Sequence, residues 1–283
     1  MTTHRARELW IRFEALHAVT YFSPQSAQAA KDAGLKGFWM GYFGFRAAPM
    51  GAVSAGVVEA TFANFATERV RRAIPDAWSL ASPESLILAR ASGAAAALRD
   101  LDPAVLATAQ VANPLLERMV GAADGLGRPL FTANRGLELS HDPVERLWQL
   151  TTSLREHRGD GHVIALAAEG VSGPQAHLLL IAERGLSEDL FLLARGFDET
   201  QWNDAKENLR RRGLTNGREL TDAGVSLRSR IEETTDRLAD SPLDAVSTEE
   251  LDRLLESLDR SARTIHNAGM IPPDNPIGLP ILD

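Results

Sequence analysis

The chain has 283 residues, 44% of them hydrophobic and 24% charged, as is ordinary for a globular protein of one large domain or two modest ones. It contains no cysteine, which excludes disulfides, thiolate metal sites and cysteine nucleophiles. The net charge of −8 is uneven: residues 1–140 carry 14 Lys and Arg against 12 Asp and Glu, whereas residues 141–283 carry 16 against 26. An acidic surface repels nucleic-acid phosphates, so the second half as a whole is a poor match for DNA.

The sequence also argues against a membrane location. Charged and polar residues interrupt the early apolar stretch, so no signal peptide is predicted. The apolar segment 37–58 contains five glycines, Pro49 and a central Arg46, which a membrane-spanning helix would not tolerate. We therefore expect a cytoplasmic protein without a membrane partner.

Capping residues and prolines mark successive helix starts along the chain. Few runs alternate as strands do, so the predicted fold is mainly α with few short strands. Segment 124–141 is rich in turn-forming residues and is predicted to link two halves, 1–140 and 141–271, before an extended tail, 272–283. The predicted helices begin near residues 7, 23, 54, 67, 82 and 102 in the first half, and near 142, 163, 172, 187, 200, 221 and 247 in the second.

Residues 200–224 combine a polar helix with a basic end, a stop at Gly213, a short turn and a capped helix start at Thr221. The segments Arg212-Gly213-Leu214 and Leu220-Thr221-Asp222-Ala223-Gly224 resemble the winged helix-turn-helix of MarR-type regulators. This resemblance implies a recognition helix followed by a wing, and a DNA-binding transcriptional regulator.

A repeat of spacing relates the two halves. Segments 37–51 and 156–170 have equal length, and 28 residues separate Ser54 from Ser82 just as 28 separate Ser172 from Thr200. The predicted architecture is two pseudo-symmetric winged helix-turn-helix units fused in one chain, the first of them degenerate. Such a chain would act as a monomer that imitates a dimer, or as a homodimer.

The stretches "GFWMGYF…RAAP" and "HRGDGH" also look like those of a bacterial family of tandem winged-helix proteins. That resemblance covers nearly the whole chain and implies the same tandem fold. It carries no activity over to this sequence.

The predicted recognition helix offers two kinds of DNA contact. Gln201 and Asn203 can pair with adenine, while basic side chains can contact guanine or phosphate. The turn 214–219 is shorter than the long basic wing that follows a minor groove. The predicted basic contacts are Lys206, Arg210, Arg211, Arg212 and Arg218.

A small-molecule site is predicted where the repeated stretches meet. Segment 156–162 is interpreted as a loop between two helices, with side chains that can titrate or bind anions. Segment 37–51 would face it with aromatic walls, as ligand sites require. The predicted ligand residues are Trp39, Tyr42, Arg46, His157, Arg158 and His162.

Other interpretations remain open. Asp160 can cap a helix and Arg158 can make a structural ion pair, and the aromatic residues can form a core. His157, Asp160 and His162 match no familiar metal-ligand spacing, and no phosphate-binding loop or catalytic pair is present, so no metal, cofactor or enzyme activity is assigned. The rival to a regulator is a winged-helix scaffold that binds or converts a small molecule without any DNA role, and a DNA repair enzyme is a third alternative.

Overall fold

The computed structural model describes residues 4–282, and this part of the chain consists almost entirely of helices and their connections. The extended pairing among these residues is one isolated antiparallel bridge, between Thr215 and Leu220, so the prediction of a mainly helical fold is confirmed. No single described helix is long and apolar enough to span a membrane, although two successive helices, Pro143–Ala168 and Gly173–Arg184, meet that test as a pair bent by 98°. The α-helices are α1 (Arg5–Phe22), α2 (Pro24–Asp32), α3 (Gly37–Ala47), α4 (Ala55–Phe62), α5 (Thr67–Arg71), α6 (Asp76–Leu80), α7 (Pro83–Leu101), α8 (Val105–Ala122), α9 (Pro129–Arg135), α10 (Pro143–Ala168), α11 (Gly173–Arg184), α12 (Glu188–Arg195), α13 (Glu199–Arg211), α14 (Asp222–Leu238) and α15 (Thr248–Asn267).

Helix starts follow the capping residues that the sequence indicates. The Ser82 hydroxyl accepts a hydrogen bond from the backbone N–H of Ser85 at the start of α7. Asp142, Thr221 and Ser247 cap α10, α14 and α15 in the same way. Each bond satisfies a donor that the first helical turn leaves free, which stabilises the helix by about 1 kcal/mol.

The central core draws on helices from both sides of residue 140. It is formed by α1, α7, α8, α15 and the first part of α10, and α10 packs directly against α1 and α8. The division of the chain into two domains at residue 140 stays a prediction. Both sides of that residue contribute to this core. Its most deeply buried large side chains include Leu16, Leu98, Leu116, Met119 and Trp148.

Two smaller cores flank the central one. The first lies among α2 to α6 and the beginning of α7, around Phe43, Ile74 and Leu86. The second lies among α11 to α14 and the end of α10, around Phe191 and Trp202. The second core belongs to the lobe that contains the predicted recognition helix.

Two segments are more structured than the sequence suggests. The predicted linker 124–141 contains α9, whose Leu130 and Phe131 are buried. Residues 272–282 of the tail contain no α-helix, but Asn275 and Leu279 are buried there. The Asn275 side chain donates to the Leu279 carbonyl and accepts from the Leu279 N–H, both at 2.9 Å, which closes a turn within the tail. Leu279 belongs to the central core and Arg195 donates to the Pro276 carbonyl, so the tail is folded against the body of the protein.

The prediction of a loop at 156–162 is wrong, because α10 runs through it without a break. A glycine in a helix costs only about 1 kcal/mol, which tertiary packing can outweigh. Gly161 serves close packing here: a Cβ at this position would lie 2.7 Å from an Arg128 guanidinium nitrogen and 3.3 Å from Leu238. That guanidinium donates to the carbonyls of His157 and Leu238 and so joins α10 to the end of α14.

Gly161→Ala is therefore expected to lower the free energy of unfolding by about 1–3 kcal/mol, because it displaces a buried, hydrogen-bonded arginine. Gly159→Ala is the matched control in the same helix, where a new Cβ would have only ordinary contacts, the nearest at 3.5 Å. It is expected to stabilise the protein by about 0.5–1 kcal/mol. Denaturant unfolding of both variants measures the difference, and equal effects would contradict the close-packing role of Gly161.

The helix order of the two halves is comparable, but their packing differs. α4 and α11 follow Ser54 and Ser172, and α7 and α13 follow Ser82 and Asp198. α7 contributes Leu98 to the central core and Leu86 to the first smaller core, both fully buried, whereas α13 lies at the surface of its own lobe. A pair of winged-helix units stays a prediction, and α7, the counterpart of α13 in the helix order, packs into two cores.

Candidate functional site

α12 and α13 follow one another in the order of a helix-turn-helix, as two helices joined by a tight turn. Three residues connect them, beginning with Gly196 at φ 77°, a left-handed conformation that favours glycine. Asp198 caps α13 in a reciprocal arrangement with Gln201. Trp202, Ala205 and Leu209 attach the inner face of α13 to the lobe.

The turn after α13 is short and tightly closed. The Leu214 carbonyl accepts from the Thr221 N–H at 3.1 Å, and the Asn216 N–H donates to the Glu219 carbonyl at 3.1 Å. Gly224 lies in the first turn of α14, where a Cβ would be only 2.1 Å from the Leu214 carbonyl oxygen. The glycine of the "LTDAG" segment is therefore required for close backbone packing.

The predicted DNA-binding residues lie on this surface, and several of them are already engaged. Arg210 pairs with Glu207 at 2.8 Å, and Lys206 pairs with Glu188 on α12. Arg212 donates to the carbonyls of Gly170 and Glu169. Gln201, Asn203, Arg211 and Arg218 are exposed; Arg211 and Arg218 have no ion pair among residues 4–282, and the Gln201 side-chain oxygen accepts the Asp198 N–H.

A second candidate site begins at a buried ion pair. Arg46 on α3 binds Glu156 on α10 through two hydrogen bonds of 2.9 Å, so the two repeated stretches do meet. Arg155 also binds Glu156, at 2.9 Å, and reaches Glu14 on α1 at 3.3 Å. Burial disfavours the Glu156 carboxylate, but Arg155 and Arg46 hold its pKa well below the ordinary value.

A cavity lies on each side of this ion pair, and Tyr42 and Arg46 line both. The first, which we name the aromatic cavity, has a volume of about 290 Å³ and lies among α1, α2, α3, α7 and α10. The second, which we name the arginine cavity, has a volume of about 180 Å³ and lies between α10, the helix-turn-helix lobe and the tail. Seven arginines and three carboxylates line the arginine cavity.

Most cations of the arginine cavity are neutralised by carboxylates. Arg158 binds Asp236 at 2.8 Å, Arg7 binds Glu232 at 2.9 Å and the same Asp236 at 2.8 Å, and Arg228 reaches Glu232 at 3.3 Å. These pairs are part of the wall of the cavity and hold α1, α10 and α14 together.

Arg195, the last residue of α12, differs from these. It is buried, and no carboxylate of residues 4–282 lies within ion-pair distance. Its guanidinium lies over the Phe65 ring and donates to the Pro276 carbonyl of the tail. Burial lowers the pKa of Arg195 to about 10, which leaves it charged at neutral pH.

The predicted ligand residues separate into two groups. Tyr42, Arg46, Arg158 and His162 line the arginine cavity, where burial lowers the pKa of His162 to about 4 and keeps it neutral. Trp39 and His157 do not line it: Trp39 lies under the Arg69 guanidinium at 4.5 Å, and His157 packs against Phe131. Asp160 accepts from the backbone N–H of Phe131 at the start of α9, and no cluster among residues 4–282 could hold a metal ion.

Sequence reasoning missed the buried groups that line these cavities. Arg90 is 2% exposed within the alanine-rich α7, and Arg195 lies one helix before the predicted recognition helix. The sequence does contain a signal for Arg90, because the apolar residues Leu86 and Ala94 lie four positions to either side of it. This spacing places Arg90 on the core-facing side of the helix.

The fold and this surface define a helix-turn-helix protein. A model of a helix-turn-helix family matches residues 6–272, and the chain therefore belongs to that family. Comparisons with curated proteins and with solved structures gave no match.

Proposed function

We propose that the protein is a MarR-like transcriptional regulator that binds duplex DNA through α13 and responds to a small anion held in the arginine cavity. The observation that carries the DNA-binding role is the helix-turn-helix itself, whose second helix leaves a polar face with a basic end uncovered. Membership of a helix-turn-helix family supports it.

In this proposal α13 enters the major groove. Gln201 and Asn203 contact base edges near the beginning of the helix, while Arg211 and Arg218 bind phosphates from its end and from the short turn. Arg210, Arg212 and Lys206 reach DNA after they exchange their intramolecular partners for phosphate. α7, the counterpart of α13 in the helix order, packs into the central core, so a palindromic site requires two chains.

The arginine cavity is placed to influence this surface. Arg195 ends α12 immediately before the turn of the helix-turn-helix, and its guanidinium faces a cavity shared with α10 and the tail. An anion that binds Arg195 competes with the Pro276 carbonyl. Ligand binding would thereby change how the tail and α12 are held together.

One observation favours the rival function, a ligand-binding scaffold without a DNA role. Glu188 and Glu207 already neutralise Lys206 and Arg210, in a half of the chain that carries ten more acidic than basic residues. A surface of this kind can retain the helix-turn-helix shape and lose affinity for phosphates.

Fluorescence anisotropy with random duplex DNA at low salt separates the two functions. Arg211→Ala combined with Arg218→Ala is expected to weaken binding at least tenfold. It is also expected to reduce the slope of log affinity against log salt concentration by the amount that corresponds to about two phosphate contacts. Arg253→Ala combined with Arg260→Ala removes two exposed arginines from α15 and is expected to change little. No binding by the parent protein, or equal weakening by both double variants, would reject the DNA-binding role and favour the scaffold.

A further inference from the structure

Two arginines of the arginine cavity have no carboxylate partner. The other five form ion pairs with five carboxylates in its wall. Arg184, the last residue of α11, and Arg195 have no carboxylate within ion-pair distance among residues 4–282. Arg195 is only 7% exposed, and its Nε also has no hydrogen-bond partner in this part of the chain. These pairs therefore leave two positive charges in the cavity.

Both arginines bind the same short piece of the tail. Arg195 donates to the Pro276 carbonyl, and Arg184 donates to the Gly278 carbonyl at 2.9 Å. These two residues are two positions apart, a span of at most about 7 Å along the backbone. A neutral carbonyl does not offset the charge of a guanidinium, whereas an anion does. An anion that reaches both arginines is therefore a better partner for them than the tail is.

The carboxylates that line the cavity leave this positive charge largely in place. Glu14 reaches Arg155, and Glu232 is bound by Arg7, so neither is free to repel a ligand. Burial raises the pKa of Asp160 to about 7, so its neutral acid is present in quantity at neutral pH. A bound anion raises that pKa further and favours the neutral acid. The charge that remains matches an anion with two negative charges.

The size of the cavity and the position of the two arginines favour a compact ligand. At about 180 Å³ the cavity is smaller than the pockets that hold most small molecules, which start near 300 Å³. The two guanidiniums come from the ends of different helices, α11 and α12. A tetrahedral phosphate presents oxygens in several directions and is well suited to the donors of more than one arginine.

We propose that Arg184 and Arg195 form a binding site for a doubly charged phosphate, either inorganic phosphate or a small phosphate monoester, and that two carbonyls of the tail compete for it. This inference rests on the anion site of the proposed function and names its ligand class. Leu279 holds the tail in the central core, so the two hydrogen bonds connect that core to the ends of α11 and α12. Phosphate binding breaks this connection immediately before the turn that leads to α13.

Calorimetric titration at pH 7 and constant ionic strength, without DNA, tests the site with inorganic phosphate, glycerol 3-phosphate and acetate. A phosphate monoester is mainly doubly charged at this pH. At least one of the two phosphates is expected to bind ten times or more tightly than acetate, and the tighter of them identifies a free or an esterified ligand. Absence of binding by both phosphates would overturn the proposal.

The location of the site is tested by removing its two cations. Arg184→Gln combined with Arg195→Gln is expected to abolish the preference for phosphate. Arg237→Gln is the matched control, because it removes an exposed arginine from the last turn of α14, outside the cavity lining, and it is expected to change nothing. Full phosphate binding by the double variant, or equal loss in Arg237→Gln, would place the phosphate elsewhere and overturn the proposal.

Competition with the tail is tested without any change to the arginines. Asn275→Ala removes the side chain that closes the turn of the tail and is expected to tighten phosphate binding at least threefold. Asn113→Ala, the matched control, removes a buried asparagine that donates to the Pro143 carbonyl at 2.9 Å away from the cavity, and it is expected to leave binding unchanged. Phosphate binding that Asn275→Ala does not strengthen would contradict competition by the tail.

These results are separable from those for the proposed function. Acetate binding that depends on Arg195, without phosphate binding, would keep an anion site in the arginine cavity and overturn its assignment to phosphate. Phosphate binding with the expected dependence on both arginines, in a protein that does not bind DNA, would support the site and reject the regulator.

Discussion

Arg46→Met is expected to lower the free energy of unfolding by about 3 kcal/mol at neutral pH. The change removes two of the hydrogen bonds to Glu156, which is 1% exposed, and leaves Arg155 as its remaining charged partner. Methionine keeps the apolar contact that Arg46 makes over the Phe62 ring, so the loss is mainly electrostatic. Chemical denaturation followed by circular dichroism measures it.

The pH dependence of this loss has a defined sign. The folded pKa of Glu156 is below its unfolded value, so its ion pairs stabilise the native state above about pH 4.5 and lose that contribution as the pH falls. The difference between the parent protein and Arg46→Met is therefore expected to shrink below about pH 4.5.

Arg195→Met is the matched control, because it also removes a buried arginine that stacks on a phenylalanine ring. Arg195 has no carboxylate partner among the described residues, so its replacement is expected to change stability by about 1 kcal/mol or less, or to stabilise the protein. Equal destabilisation by the two variants would contradict the distinction between a paired and an unpaired cation.

Gly224→Ala is expected to destabilise the protein by about 3 kcal/mol. Its new Cβ would lie 2.1 Å from the Leu214 carbonyl oxygen, and backbone cannot move aside as a flexible side chain can. The gain in helix propensity, about 1 kcal/mol, is too small to compensate. Urea unfolding monitored by the fluorescence of the tryptophans, including Trp202 in the same lobe, measures the loss.

Gly213→Ala separates this clash from ordinary backbone strain. Gly213 has φ 68° and nothing within 4 Å of an added Cβ, so alanine there pays only for the left-handed conformation, about 1 kcal/mol. If Gly213→Ala destabilises the protein as much as Gly224→Ala does, close packing between the turn and α14 is not the reason for Gly224.

Local signals made the helix-turn-helix predictable. The Thr221 cap, the glycine at 213 and the polar face of α13 each act within a few residues, so the sequence contains them in full. Local signals also explain the wrong prediction at 156–162: two glycines and several polar groups indicate a loop when their partners are unknown. Gly161 lies inside a helix because it leaves room for the Arg128 guanidinium, which comes from a distant part of the chain.

The residues that line the arginine cavity were only partly predictable. Tyr42, Arg46, Arg158 and His162 line the arginine cavity as one group, because α3 and α10 pack against each other there. Trp39 and His157 come from the same stretches but lie on other sides of their helices. Successive residues of a helix point in directions about 100° apart. Residues that are neighbours in a predicted loop can therefore lie on different sides of the helix that the segment forms.

The sequence by itself determined the mainly helical fold, the positions of most helix starts and the helix-turn-helix with its short turn, because capping, propensity and glycine conformation are local. Only the tertiary structure decided which charged side chains are neutralised by an ion pair and which are left without one. Arg46 and Glu156 are 110 residues apart in the chain and form a buried pair, whereas Arg90 and Arg195 are buried without a carboxylate partner in the described residues. Burial and pairing depend on contacts between distant helices, and they distinguish the two cavities from the exposed surface of α13.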